Sequence, residues 1–162
     1  MSYLTNYNIS NLIPIIYAST SGNVEATCQR VSDLLNEAGY QTSLHRAENT
    51  ELDIIQKSNT MIFATSTWEH GELNPFFNKL LKEIESNDLS GKKAAFIGLG
   101  DTRYEQVLFC KGIDIVREAF LKSGGIDISS PIKINEEPYQ YFHTTILNWT
   151  NKLIESLKNE SN

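Results

Sequence analysis

The sequence predicts a three-layer, doubly wound α/β sandwich built on a five-stranded parallel sheet. Short β-branched runs alternate along the chain with segments of helical period, which is the pattern of strand–helix–strand crossovers. The two middle runs, Thr60–Thr65 and Ala94–Gly98, are apolar almost throughout. A strand that is apolar on both faces belongs inside a sheet covered by helices on both sides. The length of 162 residues fits one domain with a sizeable core.

The first strand is Ile13–Ala18. Ser19 to Asn23 then open an amphipathic helix in which Val24, Thr27, Cys28, Val31, Leu34, Leu35 and Ala38 recur at helical spacing. Gly39 stops it. Strands Gln41–Arg46 and Thr60–Thr65 follow. Asn74 before Pro75 reads as a cap with proline at the first helical position, and Phe77, Leu80, Leu81 and Ile84 form the apolar face beyond it. After Ala94–Gly98 come a helix carrying Ile113, Val116 and Phe120 and a broken last strand from Ile126 through Ile134. The final helix carries Phe142, Ile146, Trp149, Leu153 and Leu157. With no repeat or low-complexity linker, residues 13–158 form one domain, residues 1–12 an N-terminal extension and residues 159–162 a tail.

A net charge of −6 argues against nucleic acid, which requires clustered Lys and Arg. No apolar run approaches the roughly 20 residues of a membrane span. Met1–Leu12 lacks the charged start and apolar stretch of a signal peptide. Cys28 and Cys110 are the chain's two cysteines and are not spaced as a redox pair, so a reducing, cytoplasmic setting is expected. His45 and His143 have no carboxylate or cysteine at ligand spacing, which excludes a metal site. No Ser/His/Asp arrangement falls at the strand ends.

In such a sheet a ligand binds beyond the carboxyl ends of the strands, and three unusual loops leave those ends. The first, Ser19-Thr20-Ser21-Gly22-Asn23, sets hydroxyls and free backbone N–H groups before a helix, where an anion such as phosphate would sit; taken by itself, the same run more often reads as an N-cap and turn. It contains no lysine, so it suits a phosphate that is bound rather than transferred. The second is Ser66-Thr67-Trp68-Glu69-His70-Gly71-Glu72-Leu73; the third is Leu99-Gly100-Asp101-Thr102-Arg103-Tyr104-Glu105. Trp68 and Tyr104 follow strands whose interiors are already apolar, so neither is needed to fill the core. A flat ring stacked between them, with its phosphate in the first loop, accounts for both.

The three loops, in this order, resemble those of the flavodoxin family. The first resembles its T/S-x-T-G-x-T phosphate signature, the second its S-T-W/Y-G-D-G-E loop and the third its G-x-G-D-x-x-Y-E-x-F-C loop. The likeness runs from about Ile13 to Leu157, and the absence of a long insertion in the final strand region is similar to the short-chain subgroup. It implies strand order 2-1-3-4-5 and FMN as cofactor. It also implies that Ser19, Thr20, Ser21, Gly22, Asn23 and Val24 hold the phosphate, with a hydroxyl from Ser66. Trp68 and Tyr104 would cover the two ring faces. The Glu69–His70 backbone, within Thr67–Gly71, would meet N5 and O4. Amides near Gly100, Asp101 and Cys110 would meet N1 and O2. The chain departs from the pattern in having Val24 for threonine, Glu69 for glycine and His70 for aspartate, and in a spacing before Cys110 that is longer by two residues. Cys110 is equally readable as a buried thiol at a helix start.

The resemblance implies a low-potential one-electron carrier rather than an enzyme, monomeric, shuttling transiently between a reductase and acceptor proteins. Glu69, Glu72, Asp101 and Glu105 would form an acidic rim that steers a basic partner. An alternative is an FMN-dependent NAD(P)H:quinone reductase on the same fold. A flavin-free receiver domain is a third reading, but the first strand ends in Tyr17-Ala18 and lacks the acidic pair such domains use for Mg²⁺.

Overall fold

The computed structural model describes residues 12–103 and 108–160. In chain order its elements are β1 (Leu12–Ala18), α1 (Asn23–Glu37), β2 (Gln41–Arg46), α2 (Leu52–Lys57), β3 (Thr60–Ser66), α3 (Asn78–Glu85), β4 (Lys93–Gly100), α4 (Lys111–Lys122), β5 (Ile126–Asp127), β6 (Ile132–Asn135) and α5 (Thr145–Glu160).

All strand pairs are parallel, and the order is β2-β1-β3-β4 with the fifth position beside β4. This is the predicted 2-1-3-4-5 sheet. Its fifth position is filled by two segments in line. Ile126 and Asp127 pair with Lys93 and Ala94 at the start of β4, and Ile132–Asn135 pair with Ile97–Gly100 at its end. Pro131, which lacks an N–H, lies in the break between them, and α5 secures the break where Trp149 Nε1 donates to the Ser130 carbonyl at 2.8 Å.

The strands alternate sides with period two. Ile13, Ile15 and Tyr17 of β1, Ile62 and Ala64 of β3, and Ala95, Ile97 and Leu99 of β4 face α1 and α5, meeting Cys28, Val31, Leu35, Ile146 and Leu153. On the opposite side Ile16, Met61, Phe63, Ala94 and Phe96 face α3 and α4. Four phenylalanines, Phe63, Phe77, Phe96 and Phe120, interlock there with centroids 5.5 to 6.1 Å apart, mostly edge to face as ring quadrupoles favour.

Punctuation falls where the residue chemistry places it. Asn74 Oδ1 accepts from Phe76 N at 3.0 Å, capping the turn that leads into α3. Gly39 takes the left-handed conformation, φ 97°, just after α1. Ala38 is exposed rather than on the apolar face, because the helix has ended at Glu37. Phe142 precedes α5 and packs its ring on Tyr139. Among the described residues no helix is long and apolar enough to cross a membrane.

Candidate functional site

The carboxyl ends of β1, β3, β4 and β6 open into one cavity of about 1090 Å³. Its first wall is the turn from β1 into α1. Gly22 sits at φ 91° and serves as N-cap without a side chain, so no side-chain hydrogen bond caps α1. The first helical bond runs from Ala26 N to Gly22 O at 2.9 Å. The N–H groups of the turn before it are thereby left to whatever occupies the cavity. Ser19 is buried, and its Oγ accepts from Gly22 N at 3.2 Å, so it shapes the loop from behind. Thr20, Ser21, Asn23 and Val24 line the cavity itself. The donors are neutral hydroxyls, an amide and helix backbone, a set suited to an anion.

The second wall leaves β3. Thr67 N donates to Leu99 O at 3.0 Å, Trp68 N to Glu72 O at 2.8 Å and Gly71 N to Trp68 O at 3.2 Å, closing a tight loop. Within the Glu69–Gly71 turn, His70 and Gly71 both have positive φ, 59° and 74°. A side chain at Gly71 would meet Leu108 at 3.0 Å. The hydroxyls of two predicted site residues are engaged within the protein. Thr67 Oγ1 accepts from Gly112 N at 2.8 Å, fixing the start of α4, and Ser66 Oγ accepts from Asn74 Nδ2 at 3.0 Å. Both still line the cavity, and the Ser66 hydroxyl keeps its own proton to donate. Trp68 stands 43 % exposed at the mouth.

The third wall leaves β4. A side chain at Gly100 would come within 2.9 Å of Cys110 N, so glycine is what lets the loop close on the start of α4. The Asp101 carboxylate accepts from the Arg103 backbone N–H and Nε, each at 2.9 Å. These bonds hold its carboxyl below the ordinary carboxylate range. Thr102 N donates to Asn135 Oδ1 at 2.9 Å, Glu136 N to Gly100 O at 2.8 Å, and Arg103 Nε lies 3.3 Å from Glu136 Oε1. The end of β6 thus clamps this loop. Tyr104, assigned to a ring face by the resemblance, and Glu105 lie outside the described residues.

Cys110 precedes α4 at φ 56°. Its thiol is buried and points toward the Ile134 carbonyl 3.9 Å away, and burial pushes it up to about 12. It is a core thiol at a helix start, and the residue still contributes to the cavity wall. Cys28 lies under α1, also fully buried, with its pKa raised by burial.

Ser19 and Gly22 lie outside the lining, and the Glu69 backbone belongs to the turn. The cavity also recruits residues that the sequence did not assign to the cofactor: Leu99 and Arg103 of the third loop, and Leu108, Phe109, Glu136 and Glu137. The first four sit within or beside the third loop. Glu136 and Glu137 follow β6, and the only signal for them was an acidic pair at the end of a strand. Elsewhere, His45 Nε2 meets Ser43 Oγ at 2.7 Å, and burial lowers its pKa. Among the described residues no cluster of His, Cys, Asp or Glu could hold a metal ion.

The site therefore combines a neutral anion cradle with apolar and aromatic side chains and a set of carboxylates in one cavity. That donor set fits a phosphorylated, flat ring system such as FMN. The family model described as flavodoxin matches residues 15–149. A probable flavodoxin of Bacillus subtilis, its flavodoxin 2, is 37% identical over 130 residues, covering 78% of this chain and 83% of that protein. A flavodoxin of Maridesulfovibrio salexigens is 31% identical over 127 residues, covering 76% and 86%. Among solved structures, oxidised flavodoxin 2 of Bacillus cereus superposes with a TM-score of 0.82 at 29% identity, covering 88% of this chain and 97% of that one.

Proposed function

The chain belongs to the flavodoxin family, whose members are flavin-bound electron carriers, and we propose that it is a low-potential, one-electron carrier holding FMN non-covalently. The observation that carries this reading is the uncapped start of α1, opening among Thr20, Ser21 and Asn23 into the same cavity that Trp68 lines. Bound FMN supplies the redox chemistry, taking up and releasing single electrons.

The protein supplies position and field. Thr20, Ser21, Asn23, the first-turn N–H groups of α1 and the Ser66 hydroxyl bind the phosphate. Trp68 covers one ring face, and Tyr104 is assigned the other. The Glu69–Gly71 and Gly100–Asp101 backbones serve the polar edges of the ring. Glu72, Asp101, Glu136 and Glu137 line the same cavity, and their carboxylates disfavour added negative charge there, which lowers the potential. The Arg103 guanidinium offsets Asp101 and Glu136 in part. The acidic edge also steers a basic partner in brief encounters. Partners are a reductase and acceptor redox proteins, and the carrier acts as a monomer in the cytoplasm.

The test is an anaerobic potentiometric titration of the purified protein followed by visible absorption. A yellow protein with two separated one-electron potentials, the lower more negative than that of free FMN, is the expected result. NAD(P)H alone should leave it oxidised until a reductase is added. A colourless protein that takes up no FMN would overturn the reading, and direct bleaching by NAD(P)H would replace it with the quinone-reductase alternative.

A further inference from the structure

The loop assigned to the phosphate contains no Lys or Arg, yet the first turn of the helix behind it contains an acid. Glu25 is the third residue of α1. An acid in the first turn favours the helix by opposing its dipole. Beside a bound phosphate dianion, the same charge is repulsive.

Both carboxylate oxygens of Glu25 are engaged from outside α1. Tyr17, near the end of β1, donates its hydroxyl to Oε1 at 3.0 Å. Arg46, the last residue of β2, donates from Nη2 to Oε2 at 2.9 Å. Tyr17 and Arg46 are register partners, and the guanidinium lies over the Tyr17 ring at 5.6 Å. Its other nitrogen, Nη1, is 3.7 Å from Glu48 Oε1. Two strands, β1 and β2, thus hold one carboxylate of α1 beside the cradle and set a cation against it.

We propose that Arg46 is a positioning residue for cofactor selection: by neutralising and orienting Glu25 it keeps the start of α1 receptive to a dianionic phosphate. The inference rests on the FMN reading and deepens it. Arg46 is not among the residues lining the cavity, so it acts through Glu25 and raises the preference for FMN over riboflavin without changing how the ring is held. The Glu25–Arg46 pair is partly exposed, side chains 45% and 39%, so the effect is modest and screened by salt.

The test measures dissociation constants of FMN and riboflavin for the apoprotein by flavin fluorescence, at low and high salt. Arg46→Ala should weaken FMN about two- to fivefold at low salt, leave riboflavin unchanged, and lose most of the difference at high salt. Arg46→Lys should keep most of the preference. Adding Glu25→Gln to Arg46→Ala should restore FMN binding, because glutamine retains the bond from Tyr17 and removes the charge. A purely structural role for Arg46 would weaken both flavins together and would not be rescued by Glu25→Gln; either result overturns the proposal. If Asn23→Ala lowers the FMN preference while Arg46→Ala does not, the inference fails and the FMN reading stands. If the parent protein binds neither flavin, the reading itself fails and this inference with it.

Discussion

Where β1 turns into α1 the backbone turns on a glycine, Gly22 at φ 91°, whereas in the other loops around the cavity similar left-handed turns are taken by His70, Cys110 and Glu136, at φ 59°, 56° and 63°. These are the non-glycine residues with positive φ among the described residues, and all three line the cavity. Left-handed backbone costs a residue with a Cβ about 1–2 kcal/mol, and such strain persists only where surrounding structure over-determines it. Here it does. His70 is bracketed by the bonds from Trp68 N to Glu72 O and from Gly71 N to Trp68 O; Cys110 is buried against Gly100; Glu136 gives its N–H to Gly100 O and pairs with Arg103. The two regions therefore differ. The β1–α1 turn is an unstrained set of neutral donors, while the loops after β3, β4 and β6 carry the left-handed non-glycine backbone and the carboxylates; on the proposed reading the first selects for a phosphate and the others surround the ring.

Binding variants should separate the two regions most sharply. Trp68→Ala should weaken FMN and riboflavin alike by about 10- to 100-fold, the loss of one aromatic contact of about 1.5–3 kcal/mol, and restore flavin emission. Asn23→Ala should weaken FMN by about tenfold, one charge-assisted hydrogen bond, and leave riboflavin unchanged. Fluorescence titration checks both, and an equal loss for the two flavins in Asn23→Ala would merge the regions.

Stability comes next in size, read by thermal or urea unfolding. At Gly100 an added methyl meets the Cys110 backbone at 2.9 Å, so Gly100→Ala should cost about 1–3 kcal/mol by overpacking. Gly22→Ala has open space around it and should cost only the torsional part, about 1–2 kcal/mol. The reverse change in the strained loops, His70→Gly, should stabilise by up to about 1 kcal/mol, or roughly 2–4 °C in Tm. No gain would show that His70 is held at positive φ without strain.

The smallest effect is on pH. The Asp101 carboxyl is held low by its bonds from Arg103, so its folded pKa lies below its unfolded one. Its contribution is present above the ordinary carboxylate range and fades as pH falls through the lowered folded value. Asp101→Asn should flatten that part of the acid limb of an unfolding profile, and an unchanged limb would remove the pair from the account.

The three loops were legible because phosphate donors and stray aromatics stand out after apolar strands. Twelve of the sixteen residues predicted to bind cofactor line the cavity, from Thr20 through Cys110; Ser19 and Gly22 lie outside the lining, Glu69 is in the turn, and Tyr104 is outside the described residues. Glu136 and Glu137 were not legible as site residues, because their place depends on β6 pairing with the end of β4, a contact between distant segments. Likewise α2, six residues long, is too short to display a helical period. The burial of the Cys110 thiol and its direction toward Ile134 were not legible either, since both depend on β6 packing behind the start of α4. Strain at His70 was also invisible, since a left-handed turn is signalled by glycine or asparagine and not by histidine.

The central claim is that the start of α1 holds a phosphate while the other loops hold a ring, and the most direct measurement is a comparison of FMN with riboflavin on the same apoprotein. Flavin fluorescence titration at low salt should show both quenched on binding, with FMN tighter by at least about 100-fold, as two or more hydrogen bonds to a charged group require. Equal dissociation constants for the two flavins would contradict the account.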